Sequence, residues 1–343
     1  MVFSFRLKSL IFASAALMLM AGCNTNSANN NTATNPNSNA TPTATSNTAS
    51  NEHGGSHNNG KKININSAIL SELDKLEAKL GVPALSNKIQ GSRPYANTEE
   101  LVSKKVITQE QFDQIKDMVT VEDITLTGEA KDIDYMTKLG LMKGHLIVAK
   151  ELLDQQKPDQ AEPHIGHPVE EIYIDVEEQL QERNVKEFKS SLINLQNLVK
   201  ANGKSEKIKP EFEASMQAID SAIQGLPEQQ RNDPKFVLQV INELLDAANS
   251  EYGSAIASGK ISAAIEYQDS RGFVIYANSL YKTISQQMEK QHPQAHKAIE
   301  KSMADLTKAW PKAIPPAAPV MTPEQVSKLV KTIEDNSQKV IKS

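Results

Sequence analysis

Along this 343-residue chain, apolar residues recur at three- and four-residue spacings from Leu70 onward. That is the period of a helix with one buried face. Leu70, Leu73, Leu76 and Leu80 form the first stripe, with Asn66 or Ser67 as its expected N-cap. Gly81-Val82-Pro83 breaks it, and a second short helix follows with Leu85 and Ile89 inward. Thr98 opens another short helix, and Thr108 with Gln111 has the form of a capping box. Further stripes run through Tyr135 to Leu153, Pro168 to Leu180, Phe188 to Leu198, Phe212 to Ile223, Phe236 to Ile256 and Ile261 to Met288. Ile172-Tyr173-Ile174 and Phe273-Val274-Ile275 favour strand locally but lie inside helical periods, so no strand is predicted. The pattern predicts an all-α chain: a small helical-hairpin domain over 61–125, then an up-down bundle of about six or seven helices over 130–310. In 311–343 a Pro/Ala connector leads to an amphipathic helix capped at Thr322.

The two ends of this frame differ in kind. Residues 1–23 carry Arg6 and Lys8, an apolar run too short to be a permanent span, and Ala21-Gly22-Cys23. This resembles the lipobox of bacterial lipoproteins, which implies lipidation of Cys23, a membrane anchor and a position in the cell envelope facing the periplasm or the exterior. Residues 24–60 are rich in Asn, Thr and Ser and hold no large apolar residue, the composition of a disordered tether. Cys23 is the chain's single cysteine, so an intramolecular disulfide framework and a cysteine zinc site are both excluded. With 37 basic against 42 acidic side chains, the net charge of −5 excludes a general polyanion binder.

Within 61–125 the order Ile-Asn-Ile-Asn-Ser-Ala, Leu-Gly-Val-Pro-Ala-Leu-Ser-Asn-Lys-Ile, Arg-Pro-Tyr, Glu-Glu-Leu-Val resembles a ComEA-type helix-hairpin-helix module. The resemblance implies a DNA-binding hairpin at Gly81 and Val82, with Lys88 and Arg93 beside it, and hence DNA as a partner and a receptor role in DNA uptake. This copy keeps one of the family's two turn glycines, places Pro83 where an N–H donor is expected, and carries three extra residues, Glu77-Ala78-Lys79, before the turn. A degenerate hairpin of this sort also resembles the U-type extrinsic subunit of photosystem II, which implies protein contact instead, here with an envelope partner.

Candidate metal chemistry concentrates at His145, His164, His167, Glu170 and Glu171. Two or three imidazoles with a carboxylate suffice for Zn, Cu, Mn or Fe. His164 and His167 are expected to converge through a backbone turn at Ile165-Gly166, with Pro168 opening a new helix and His167 near its N-cap. His167-x-x-Glu170 is similar to the short His-x-x-Glu of imelysin-like periplasmic proteins, which implies a link to iron. A second polar cluster, Glu266, Asp269 and Arg271, is expected mid-helix as a ligand-binding or coupling site, with Tyr267 meeting Arg271. No nucleophile elbow or phosphate loop is spelled anywhere. The sequence thus favours a non-enzymatic envelope lipoprotein whose bundle binds a metal or a partner protein, over a DNA receptor and over a His/Glu metalloenzyme.

Overall fold

A computed structural model describes residues 62–343 apart from Ile124; Cys23, the leader and the tether lie outside the described residues. The described chain is helical except for four two-residue strands.

The hairpin module contains α1 (Leu70–Leu80), α2 (Leu85–Gly91), α3 (Glu100–Ser103) and α4 (Gln109–Ile115). They surround a small core of Ile65, Leu73, Leu76, Leu85, Ile89, Leu101 and Ile115. Gly81 ends α1 in the left-handed conformation at φ 62°, where a side chain would be strained. Thr108 and Gln111 form the expected reciprocal cap on α4. The cap expected for α1 is not made. Ile69 precedes that helix without a side-chain cap, because Asn66 is committed elsewhere: it donates to Tyr95 O at 2.8 Å and accepts from Tyr95 N at 2.7 Å. β1 (Ile63–Asn64) pairs in parallel with β2 (Val119–Thr120), closing the ends of the module on each other.

Next come α5 (Gly128–Asp154), α6 (Pro158–His167), a π-helical turn (Pro168–Ile172), α7 (Tyr173–Glu182), α8 (Lys189–Ala201) and α9 (Ile208–Ile223). After the single turn α10 (Glu228–Arg231) come α11 (Pro234–Ala255), α12 (Ala264–Gln291), α13 (Pro293–Leu306) and α14 (Pro323–Ile341). The last four form a closed ring: α11 packs on α12 and α14, and α13 on α12 and α14. Val326, Val330, Ile333 and Val340 bury the inner stripe of α14. α5 lies against both α11 and α12 and links the ring to α6.

The strand-free reading of the bundle needs one correction. Between α11 and α12, β3 (Ile256–Ala257) and β4 (Lys260–Ile261) pair as an antiparallel hairpin. Ser258 and Gly259 turn it with φ 52° and 72°, the paired positive values that suit a tight two-residue turn.

The hairpin module rests on the bundle through α1 and α11. Ile69 belongs to the bundle's apolar core, not the module's, and Lys75 pairs with Asp246 at 2.5 Å across the seam.

Candidate metal centre

Two glycines bring α5 and α12 together. A Cβ on Gly144 would lie 3.0 Å from the carbonyl carbon of Gly272 and 2.5 Å from the Phe273 ring. One on Gly272 would lie 2.7 Å from the carbonyl carbon of Gly144. Only glycine at both positions allows so close a backbone approach. The side chains beside this crossing therefore meet: His145 follows Gly144, and Asp269 lies one helical turn before Gly272. His145 Nδ1 is 2.6 Å from Asp269 Oδ1, and its ring stands edge-on to Phe273 with centroids 5.0 Å apart.

α6 supplies two more imidazoles. His164 Nδ1 reaches the same Asp269 oxygen at 2.6 Å, while its Nε2 is 2.9 Å from Gln268 Oε1. His167 Nδ1 lies 3.5 Å from the other Asp269 oxygen. The two histidines converge without the expected turn, because residues three apart share a face of a continuous helix. Pro168 does not open a new helix either, and His167 is no N-cap. The chain stays helical through His167 at φ −52°, ψ −48° and widens into a π-turn, closed by the Tyr173 N–H donating to Pro168 O. Pro168 has no N–H to give to an α-helical bond, so the wider turn carries the helix past it.

The centre is buried. His164 is fully enclosed and Asp269 is 2% exposed. Burial pushes the Asp269 carboxyl up, but the charges and hydrogen bonds of His145 and His164 overcome it and hold the group well below the usual carboxylate range. Burial pulls His145 below its ordinary value despite its bond to Asp269. Burial also pulls on His167, yet Asp269, Glu171 and Glu170 prevail and push it up to about 9. Ligand atoms of His145, His167 and Asp269 all lie within 4.8 Å of one another, close enough to hold one cation. With both ring nitrogens engaged by the protein, His164 instead fixes the Asp269 carboxylate.

The remaining sequence candidates divide. Glu171 borders a cavity of about 50 Å³ together with His145, His167 and Asp269. Glu170 is exposed and takes a long 3.4 Å contact from Gln196. The expected cluster of Glu266, Asp269 and Arg271 is split. Glu266 faces the same cavity, but Arg271 grips Glu151 through Nε at 2.7 Å and Nη2 at 2.8 Å and donates to Trp310 O. Residues two apart on a helix point to opposite sides, which separates Arg271 from Asp269. Tyr267 does not bond Arg271; its hydroxyl donates to Lys312 O at 3.2 Å.

Two further carboxylates at the cavity went unread in the sequence: Asp74 of α1 and Glu251 of α11, 7% and 5% exposed. Burial, with repulsion from Glu77 and Glu266, pushes Asp74 up to about 7, and burial with repulsion from Asp74, Asp269 and Glu266 pushes Glu251 well above its ordinary value. The available signal was a carboxylate at an inward helical position. Glu251 falls in line with Leu244, Ala248 and Ala255, and Asp74 lies between Leu73 and Leu76.

At the α1–α2 turn, Gly81 spends its N–H on Glu77 O at 2.8 Å. The Glu77 side chain accepts from Ala84 N at 2.9 Å and Ser86 N at 3.2 Å. The amides that follow the turn, those of Ala84 and Ser86, are thus held by a carboxylate of the three-residue insertion, and that of Gly81 by the backbone carbonyl of Glu77. Val82 is partly buried and Lys88 is exposed. Arg93 donates to Ile65 O and Ala68 O at 2.8 and 2.5 Å, within the module.

Residues 227–343 match the family described as the iron permease-associated 4-helix bundle domain. The match runs through the α11–α14 ring and includes Glu251, Glu266, Gln268 and Asp269, while the three histidines come from α5 and α6 ahead of it. No curated protein and no solved structure matches the chain. No described helix is long and apolar enough to cross a membrane. The chain is therefore a helical protein whose C-terminal third is similar to a bundle associated with iron permeases.

Proposed function

We propose that this is a non-enzymatic envelope lipoprotein, anchored through Cys23, whose bundle binds a transition-metal cation between His145, His167 and Asp269, with iron as the leading candidate. The observation that carries the reading is the convergence of three histidines from two helices on one buried carboxylate beside a cavity. A buried carboxylate that orients imidazoles is the arrangement metal sites use to fix ring orientation and raise ligand basicity. Iron is favoured because the matched family is associated with iron permeases. The anchor rests on the lipobox resemblance at Ala21-Gly22-Cys23. The DNA-receptor reading has only the helix-hairpin-helix resemblance behind it, and the Glu77 carboxylate seated on the hairpin amides works against a second anion there.

The test is metal analysis of the purified chain together with thermal melts in Fe(II), Mn(II), Zn(II) and Cu(II). A cation at a hundredfold excess over its Kd stabilises by about 2.7 kcal/mol, a rise of at least several degrees. Asp269→Asn, nearly isosteric, is expected to abolish the rise while keeping the helical circular dichroism. Melts unchanged by all four metals would overturn the proposal.

A further inference from the structure

The cavity beside His145 and His167 belongs to two parts of the chain. Its bundle wall carries Glu171, Glu251, Glu266 and Asp269 with the two imidazoles, and its other wall is the hairpin module, which contributes Asp74 from α1. Five carboxylates thus face about 50 Å³, and among the described residues no Lys or Arg side chain lines it. Asp74 and Glu251 face the same cavity from the two sides of the seam, each more than nine-tenths buried. Ser86 Oγ donates to Asp74 from behind, and to Glu77 at 3.1 Å. For holding two helices together this is a poor choice, since paired buried acids repel when ionised while apolar side chains of the same size would pack without penalty. What such a pair does well is neutralise a cation.

Resting on the metal reading above, we propose that Asp74 and Glu251 supply balancing negative charge, from across the cavity, to the cation that His145, His167 and Asp269 hold, and that the bound ion clamps the hairpin module onto the bundle. The lining then names the class of ion. Carboxylates facing the cavity outnumber imidazoles, and among the described residues no sulfur lines it, which favours a hard, oxygen-preferring cation such as Mn(II) or iron over Cu(I). Negative charge on both walls makes the module part of the site, so the ion enters and leaves from the rim, where Asn87 of α2 and Ile265 of α12 are exposed.

The experiment compares the full chain with Asp74→Asn, Glu251→Gln and the double variant, using Mn(II) followed by electron paramagnetic resonance and anaerobic Fe(II) by calorimetry. Both substitutions preserve shape and remove the mutual repulsion, so the apo variants are expected to melt at or above the parent temperature. The double variant is expected to bind Mn(II) and Fe(II) at least tenfold more weakly. Each single variant gives the same direction should the double fail to fold. Hydrogen exchange of the amides from Leu70 to Gly91 is expected to slow on metal binding in the parent and not in the double variant. Unchanged affinity in the variants, with binding still lost in His167→Ala, would place the ion on the bundle wall alone and overturn the clamp while leaving the metal site standing. A parent chain that binds neither ion would overturn the metal reading itself.

Discussion

Replacing Gly272 by alanine tests whether the α5–α12 crossing builds the centre. In an exposed helix this change stabilises, by about 1 kcal/mol, because alanine loses less backbone freedom on folding. Here the new methyl would sit 2.7 Å from the carbonyl carbon of Gly144, whereas carbon atoms rest at about 3.5–4.0 Å. Both partners are backbone, so relief requires the helices to part by roughly 1 Å, at a cost of about 2–3 kcal/mol for overpacking. The same displacement stretches the 2.6 Å contact between His145 and Asp269 past bonding range, and a hydrogen bond to a charged group contributes about 2 kcal/mol. Set against the propensity gain, the net loss is about 3–4 kcal/mol, or roughly 10 °C in Tm for a chain of this size. Urea denaturation of the metal-free protein measures it. Gly91→Ala is the control: that glycine is helical with nothing within 4 Å of the added carbon, so this variant is expected to be neutral or slightly stabilised. A Gly272→Ala protein as stable as the parent would refute the close crossing and, with it, the origin of the His145–Asp269 pair.

Two further outcomes are expected. His164 is bonded at both ring nitrogens and fully buried, whereas the His167 side chain is 25% exposed; His164→Gln should therefore cost stability in the apo protein, about 2 kcal/mol, and His167→Gln should cost metal affinity together with an apo stability that is full below about pH 6.5 and fades as the pH rises through about 9. Equal effects of the two on both measurements would refute this division. At high pH, Lys75 reports the seam. Burial pulls its ammonium down, but Asp246 and Glu243 more than offset it, raising the folded value above the ordinary one. A raised lysine contributes its stability in full below about pH 10.4 and loses it as the pH climbs through the folded value. The parent is expected to lose about 1–2 kcal/mol above that point beyond what Lys75→Met loses, read from urea midpoints, and parallel profiles would exclude the pair as a contributor.

Much of this fold was legible because single-helix rules are local. The caps at Thr108 and Thr322, the stop at Gly81 and the inner stripe of α14 all depend on residues within one turn of each other. Three histidines could be singled out by their density, and Asp269 by its place in a polar run. Their union could not be read, because it depends on the Gly144–Gly272 approach of two helices more than a hundred residues apart in sequence. The turn expected at Ile165-Gly166 failed for a different reason: a proline just after a histidine suggests a helix start, yet a π-turn lets the helix absorb it. Placing Arg271 with Asp269 neglected helical geometry that the sequence already contained.

The hairpin module shows how one sequence feature changes meaning once its neighbours are placed. Glu77 looked like an insertion that spoils a phosphate site, and it does occupy the amides of Ala84 and Ser86. Its seat there brings Ser86 against Asp74, one helical turn earlier on the same face of α1. That face is turned toward α11, which carries Glu251 to the cavity that Asp74 lines. A phosphate on those amides would put a dianion next to Asp74, Glu77 and Glu251, so the fill that closes the hairpin to one anion is continuous with the carboxylates that face the cavity. Where the helix-hairpin-helix resemblance implies free backbone amides that attract anions, this turn has one glycine and the Glu77 carboxylate, so the surface it presents is a side-chain surface of negative charge.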